Sequence, residues 1–197
     1  MTKEEKIKKI EEYTNRHEFW RDKVLTQLGF SINLFLTIGF GLIAFLVSQK
    51  DKYPTVEMHT DWKFNWNLAL YIATMILTSV SILLGAISVT SRLFDLRITS
   101  HITLVRKRSV EKINQLLPDN FSTSKKKNIL ANYISTVFKK IERILDEDYN
   151  DFESLTAKFK NLRNQTDQLG NLVWISHKLQ ILIILIAVLL YGTSLLV

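Results

Sequence analysis

The sequence predicts an all-α integral membrane protein. It has three transmembrane helices, a cytosolic helical bundle between the second and third, and a second span extended into a long cytosolic helix. Three observations carry that prediction. No residue from Thr26 to Gln49, from Asn67 to Ser91 or from Leu179 to Val197 is charged. About 20 apolar residues at 1.5 Å each match a hydrocarbon core of ~30 Å, so each stretch is long enough to cross it. The charges crowd instead between these stretches, 26 Lys and Arg against 19 Asp and Glu for a net +7. From Arg92 to Leu117 neither Gly nor Pro interrupts the chain, so a helix entering at Asn67 can run on to Pro118. Cysteine is absent, which excludes disulfides, thiolate chemistry and cysteine-ligated metal.

The elements follow in chain order. Residues 1–25 read as an amphipathic cytosolic helix, with Ile7, Ile10 and Tyr13, or Ile10, Tyr13 and His17, at steps of three or four residues. Residues 26–91 form a transmembrane hairpin with spans at 26–49 and 67–91. Its outer loop turns at Tyr53-Pro54, and Trp62 and Trp66 lie one helical turn apart as an interfacial anchor. Residues 92–172 form the basic cytosolic region. The long helix carries Leu93, Leu96, Ile98, Ile102, Val105, Ile113, Leu116 and Leu117 as its apolar positions. Asp119 to Ser124 supply turn and capping residues. A second helix then places Ile129, Tyr133, Val137, Ile141 and Ile144 or Leu145 on one face, with Lys and Asn opposite. Clustered acids at Asp146–Asp151 break it. A third helix, with Phe152, Leu155, Phe159 and Leu162, leads through Gly170 into the last span, 173–197.

Lys and Arg set the orientation. The N-terminal arm holds seven, the 50–66 loop three, and residues 92–172 fifteen. The positive-inside bias therefore puts the N-terminus and the 92–172 unit in the cytoplasm of a multi-pass inner-membrane protein. The first apolar run is longer than a signal-peptide core, and no small-x-small pattern follows it, so it is expected to stay as an anchor.

Catalytic chemistry finds no foothold. His17, His59, His101 and His177 each lack a second ligand at i+3 or i+4, and neither a glycine-rich phosphate loop nor a G-x-S-x-G elbow occurs. The expectation is no enzyme, no cofactor and no metal. The spans say more. In span one Gly29, Asn33, Thr37, Gly41, Ala44 and Ser48 recur on one face, and in span two Thr74, Thr78, Ser81, Gly85 and Ser88 follow a heptad. Span three repeats the pattern weakly with His177, Gln180, Ile184, Ala187, Tyr191 and Ser194. Such stripes serve close helix packing, or line a hydroxylated path in an oligomer. Past span two, Arg92 and Asp95 stand at i, i+3 and Arg97 follows. They read as a snorkelling depth anchor with an ion pair, or as a gate latch between protomers. Arg106, Lys107 and Arg108, with Lys125, Lys126 and Lys127, form a basic contact surface for anionic headgroups or a protein partner. Lys139 and Lys140 make a third cluster. No aromatic is interleaved with these clusters as a stacking platform requires, so nucleic acid enters at most indirectly.

The charged helix ending Phe19-Trp-Arg-Asp22, the Gly/Thr/Asn-bearing span, the Trp-containing loop and the exit through Arg92-Leu-Phe-Asp-Leu-Arg-Ile-Thr99 resemble a known group. The layout over residues 10–115 is similar to the small bacterial membrane effectors of anti-phage defence. These comprise the SLATT family and the related two-span effectors of retrons and cyclic-nucleotide immune systems. The third span departs from the two-span plan. The resemblance implies a homo-oligomer in the bacterial inner membrane that responds to a cytosolic partner or sensor encoded nearby and abolishes membrane integrity. The competing expectation is a non-enzymatic membrane scaffold or sensor subunit that docks a soluble defence partner through its cytosolic bundle.

Overall fold

Of the 197 residues, the computed structural model describes 3–52, 65–113, 117–118, 129–138 and 144–195. Among them every regular element is helical. They are α1 (Lys3–Ser48), a short 3₁₀ turn (Lys50–Lys52), α2 (Trp66–Ile113), α3 (Ile129–Phe138), a second 3₁₀ turn (Asp146–Asn150) and α4 (Phe152–Ser194). Three helices are long and apolar enough to cross a membrane: Arg21–Ser48, Trp66–Ile113 and Phe152–Ser194. The N-terminal arm and the first uncharged stretch are thus one helix, as are the helix expected from Phe152 and the last uncharged stretch. The helix from the second uncharged stretch continues unbroken to Ile113. Trp62 and the three-lysine cluster lie outside the described residues. The chain divides into two compact units, Met1–Gly85 with Ile183–Val197, and Ala86–Leu182.

In the first unit α1 buries Leu28, Ile32, Gly39 and Leu46, a single face repeating about every seven residues. Tyr71, Thr74, Thr78, Ser81 and Gly85 of α2 and Ile184, Ala187 and Ser194 of α4 are buried in the same unit. The approach is tightest at Gly39. A Cβ there would lie 2.9 Å from Cγ1 of Ile82 and 3.6 Å from Cδ1 of Ile184. Tyr71 donates its hydroxyl to the Leu46 carbonyl at 2.8 Å, satisfying an oxygen in the last turn of α1. Asn65 caps α2 by accepting the Leu68 N–H at 3.1 Å. Large apolar side chains face outward instead, among them Phe30, Phe40, Ile76 and Leu83. Water charges roughly 25 cal/mol per Å² for such surface, whereas acyl chains charge nothing.

The second unit has an ordinary apolar core. Ile98, Ile102 and Val105 of α2 meet Leu155, Phe159, Leu162 and Leu169 of α4, with Leu117, Ile144 and Tyr149 closing the cluster. The acid turn before α4 is a clasp rather than a bare surface. Asp146 pairs with Arg108 at 3.5 Å and Lys112 at 2.9 Å. Asp148 binds Lys158 at 2.7 Å and accepts the Leu145 N–H at 2.8 Å. His101 accepts the Ile144 N–H at 3.2 Å, so its lone imidazole is a structural acceptor. Asp151 then caps α4, taking the Glu153 N–H at 3.0 Å.

Parts of the sequence reading shift here. Leu93, Leu96 and Phe152, read as apolar-stripe positions, are exposed, while Ile98, Ile102, Val105, Leu155, Phe159 and Leu162 are inside. In α3 the expected inner face of Ile129, Tyr133 and Val137 is only half-buried. The buried side is rotated toward Asn132 and Thr136. Asn132 donates its amide to Gln168, and Thr136 is buried. Leu145 is exposed and Ile144 buried, which decides between those two; Ile141 lies outside the described residues.

Candidate functional site

The polar stripe of α2 is the feature from which a site can be built, and the structure buries all of it. Thr74, Thr78 and Ser88 are fully buried, Ser81 is 1% exposed, and Gly85 is inside as well. Two hydroxyls are consumed by their own helix: Thr74 donates to the Leu70 carbonyl and Thr78 to the Thr74 carbonyl, each at 2.8 Å. Within the second unit Ser88 donates to the Val173 carbonyl of α4 at 3.2 Å. Of these three, the Ser88 bond joins two helices, and the threonine bonds keep their hydroxyls from being stranded in an apolar setting. The α4 set is mostly inside as well: His177, Gln180, Ile184, Ala187 and Ser194 are buried and Tyr191 half-buried, with His177 Nδ1 and Gln180 Oε1 3.2 Å apart.

The α1 stripe is placed the other way. Asn33, Thr37 and Gly41 are exposed, on the face opposite Leu28, Ile32, Gly39 and Leu46. A Cβ at Gly41 would meet nothing within 4 Å. The close approach belongs to Gly39, two residues away, which the sequence reading passed over because its stripe followed polar residues.

The α2 heptad does not stop at Ser88. Ser91, Asp95, Ile98, Ile102, Val105 and Ser109 continue it at spacings of 3 and 4, and all but Asp95 are buried. Asp95 is half-buried at the position where hydroxyls give way to aliphatics. It lies one turn beyond the uncharged stretch ending at Ser91. Burial pushes its carboxyl up to about 6, and the Asp167 carboxylate on α4 pushes the same way. Thr99, donating its hydroxyl to Asp95, and the Arg163 guanidinium oppose that rise. Arg92 is half-buried and Arg97 exposed. The sequence identified Asp95 but not Thr99, Arg163 or Asp167. Continuing the heptad past Ser88 would have put Asp95 on the seam and exposed the need for partners on α4. A carboxyl of this kind can hold or release a proton near neutral pH.

The basic clusters are partly spoken for. Arg106 stacks over the Phe159 ring at 5.4 Å, and Arg108 pairs with Asp146. The Lys107 side chain and Lys125, Lys126 and Lys127 lie outside the described residues. No family model, curated protein or solved structure matches the chain. Architecture alone defines the class: among the described residues every regular element is helical, and three helices are long and apolar enough to span a membrane, compatible with a multi-pass membrane protein.

Proposed function

We propose that the protein is a bacterial inner-membrane effector of anti-phage defence that oligomerises and permeabilises the membrane when a cytosolic partner triggers it. The observation carrying oligomerisation is the outward-facing Asn33, Thr37 and Gly41 of α1. A single copy in lipid would present an asparagine amide to acyl chains, which is costly. A second copy removes that cost by covering the face, and Gly41 lets the two backbones approach. The defence role rests on the likeness of residues 10–115 to the SLATT-type effectors. A second reading, a scaffold that docks a soluble partner, is favoured by Leu96 and Leu104, exposed on α2 beyond its uncharged stretch.

The test is high expression in bacteria with a potential-sensitive dye, alongside oxidative crosslinking of Thr37→Cys. Depolarisation with crosslinked dimers is expected, and Asn33→Leu with Gly41→Leu should remove both. Inserted, crosslinking-competent protein that never depolarises cells would replace the effector reading with the scaffold.

A further inference from the structure

α3 carries more apolar surface than its docked side covers. Its inward side is mixed: Ile129, Tyr133 and Val137 are half-buried, Thr136 is buried, Asn132 donates to Gln168 of α4, and the Tyr133 hydroxyl lies 2.7 Å from Oγ1 of Thr90 on α2. Its outward side is apolar. Leu130, Ile134 and Phe138, at i, i+4 and i+8, are 59%, 49% and 82% exposed. These three fall within about 80° of arc at 100° per residue, a continuous stripe. A helix docked on protein in water turns its polar side outward, since burial of the apolar side drives the docking.

Two further facts say what covers the stripe. Thr90 is the second-last residue of the uncharged stretch of α2, so the bond to Tyr133 pins α3 at the level where that stretch ends. The sequence also brackets α3 with cations, Lys125, Lys126 and Lys127 before it and Lys139 and Lys140 after it. Apolar side chains flanked by lysines at the end of a span match the acyl–headgroup boundary of an anionic leaflet.

We infer that α3 is an interfacial helix, seated in the surface of an anionic membrane with Leu130, Ile134 and Phe138 among the acyl chains. The chain then meets lipid in four places, three spans and one helix lying at the boundary. This inference rests on the membrane reading of α1, α2 and α4, and the experiment separates the two.

The cysteine-free chain takes single nitroxide labels at Leu130→Cys, Ile134→Cys and Phe138→Cys, in full-length protein reconstituted into vesicles of phosphatidylglycerol and phosphatidylethanolamine. Leu83→Cys, exposed in the middle of the α2 uncharged stretch, and Asn150→Cys, exposed in the second 3₁₀ turn, serve as lipid and water references. Collision with oxygen reports lipid, and collision with a water-soluble nickel chelate reports solvent. Labels on α3 should be oxygen-rich like Leu83→Cys, and replacing phosphatidylglycerol with phosphatidylcholine should raise their chelate collisions. Chelate-rich α3 labels beside an oxygen-rich Leu83→Cys would overturn the inference and leave the spans standing. A chelate-rich Leu83→Cys would overturn the membrane reading itself. Low access to both reagents with spin–spin broadening would mean that a second copy covers the stripe, which also overturns the inference.

Discussion

Two helices, α2 and α4, run through both compact units, and along α2 the buried seam changes from hydroxyl-bearing to aliphatic side chains. On α2 the seam runs through Thr74, Thr78, Ser81 and Gly85 in the first unit and through Ile98, Ile102 and Val105 in the second. Around the hydroxyl half, the exterior carries Ile76, Val80 and Leu83; around the aliphatic half, Arg97, Lys112 and Lys160 are exposed. The heptad geometry is the same throughout, so helix register does not decide what goes inside. The proposed placement of the first unit in lipid and the second in water accounts for the change. In water, apolar contacts drive association; in lipid they drive nothing, and small residues with satisfied hydroxyls win because they let backbones approach.

Four effects sharpen or break that contrast. The largest effect belongs to Phe159→Ala in the aliphatic core, where the ring is fully buried and carries Arg106 on its face. It should cost about 3–5 kcal/mol, read as a lower unfolding midpoint of the purified protein. A loss below about 1 kcal/mol would mean that this core is no tighter than the hydroxyl seam. Next comes Gly39→Leu. With a Cβ already 2.9 Å from Ile82, overpacking should cost about 1–3 kcal/mol and broaden unfolding, while Gly41→Leu leaves stability unchanged. Equal damage from both would place α1 in another rotation.

The third effect depends on pH. Because folding raises the Asp95 pKa from 3.8 to about 6, its contribution is fully present below about pH 4 and lost as pH rises through about 6. Asp95→Asn should therefore stabilise the second unit above about pH 6 and change little below pH 4, measured by unfolding across that range. Asp148 runs oppositely. The Lys158 ammonium and the Leu145 N–H hold its carboxyl below the ordinary range, so its stabilisation is present above that range and fades as pH falls through the lowered value. Asp148→Asn should thus flatten the acid side of the profile and Asp95→Asn the neutral side. The smallest change is Ser88→Ala. Losing its 3.2 Å bond to Val173 should cost about 0.6 kcal/mol, since buried hydroxyl bonds in lipid-like surroundings average near that value.

The long helices were legible because their signals need no tertiary knowledge. Uncharged runs and the missing Gly and Pro beyond Arg92 both belong to local sequence. Which side of a helix turns inward was less so. Sorting α3 by the rule for water put Ile129, Tyr133 and Val137 inward; they are half-buried, but the deepest position is Thr136, and the partners of Asn132 and Tyr133, Gln168 and Thr90, are 36 and 43 residues away. At Asp95 the acidic side chain broke the apolar pattern, so Leu93 and Leu96 drew the stripe off the seam. In α1 the polar repeat was visible at once, but only the position of Ile82 tells that Gly39, not Gly41, meets its neighbour.

The exposed apolar stripe of α3 also sets a schedule for synthesis. Thr90 is made before α3, but Gln168 follows Asn132 by 36 residues, so half of the helix's polar anchoring has not yet emerged when α3 leaves the ribosome. At roughly 5–20 residues per second that interval lasts on the order of 2–7 s. Throughout it, α3 offers an apolar stripe to its surroundings with its amide side not yet matched. A membrane surface beside the growing chain would shelter the stripe during that wait, and delayed translation between 139 and 168 would lengthen its exposure.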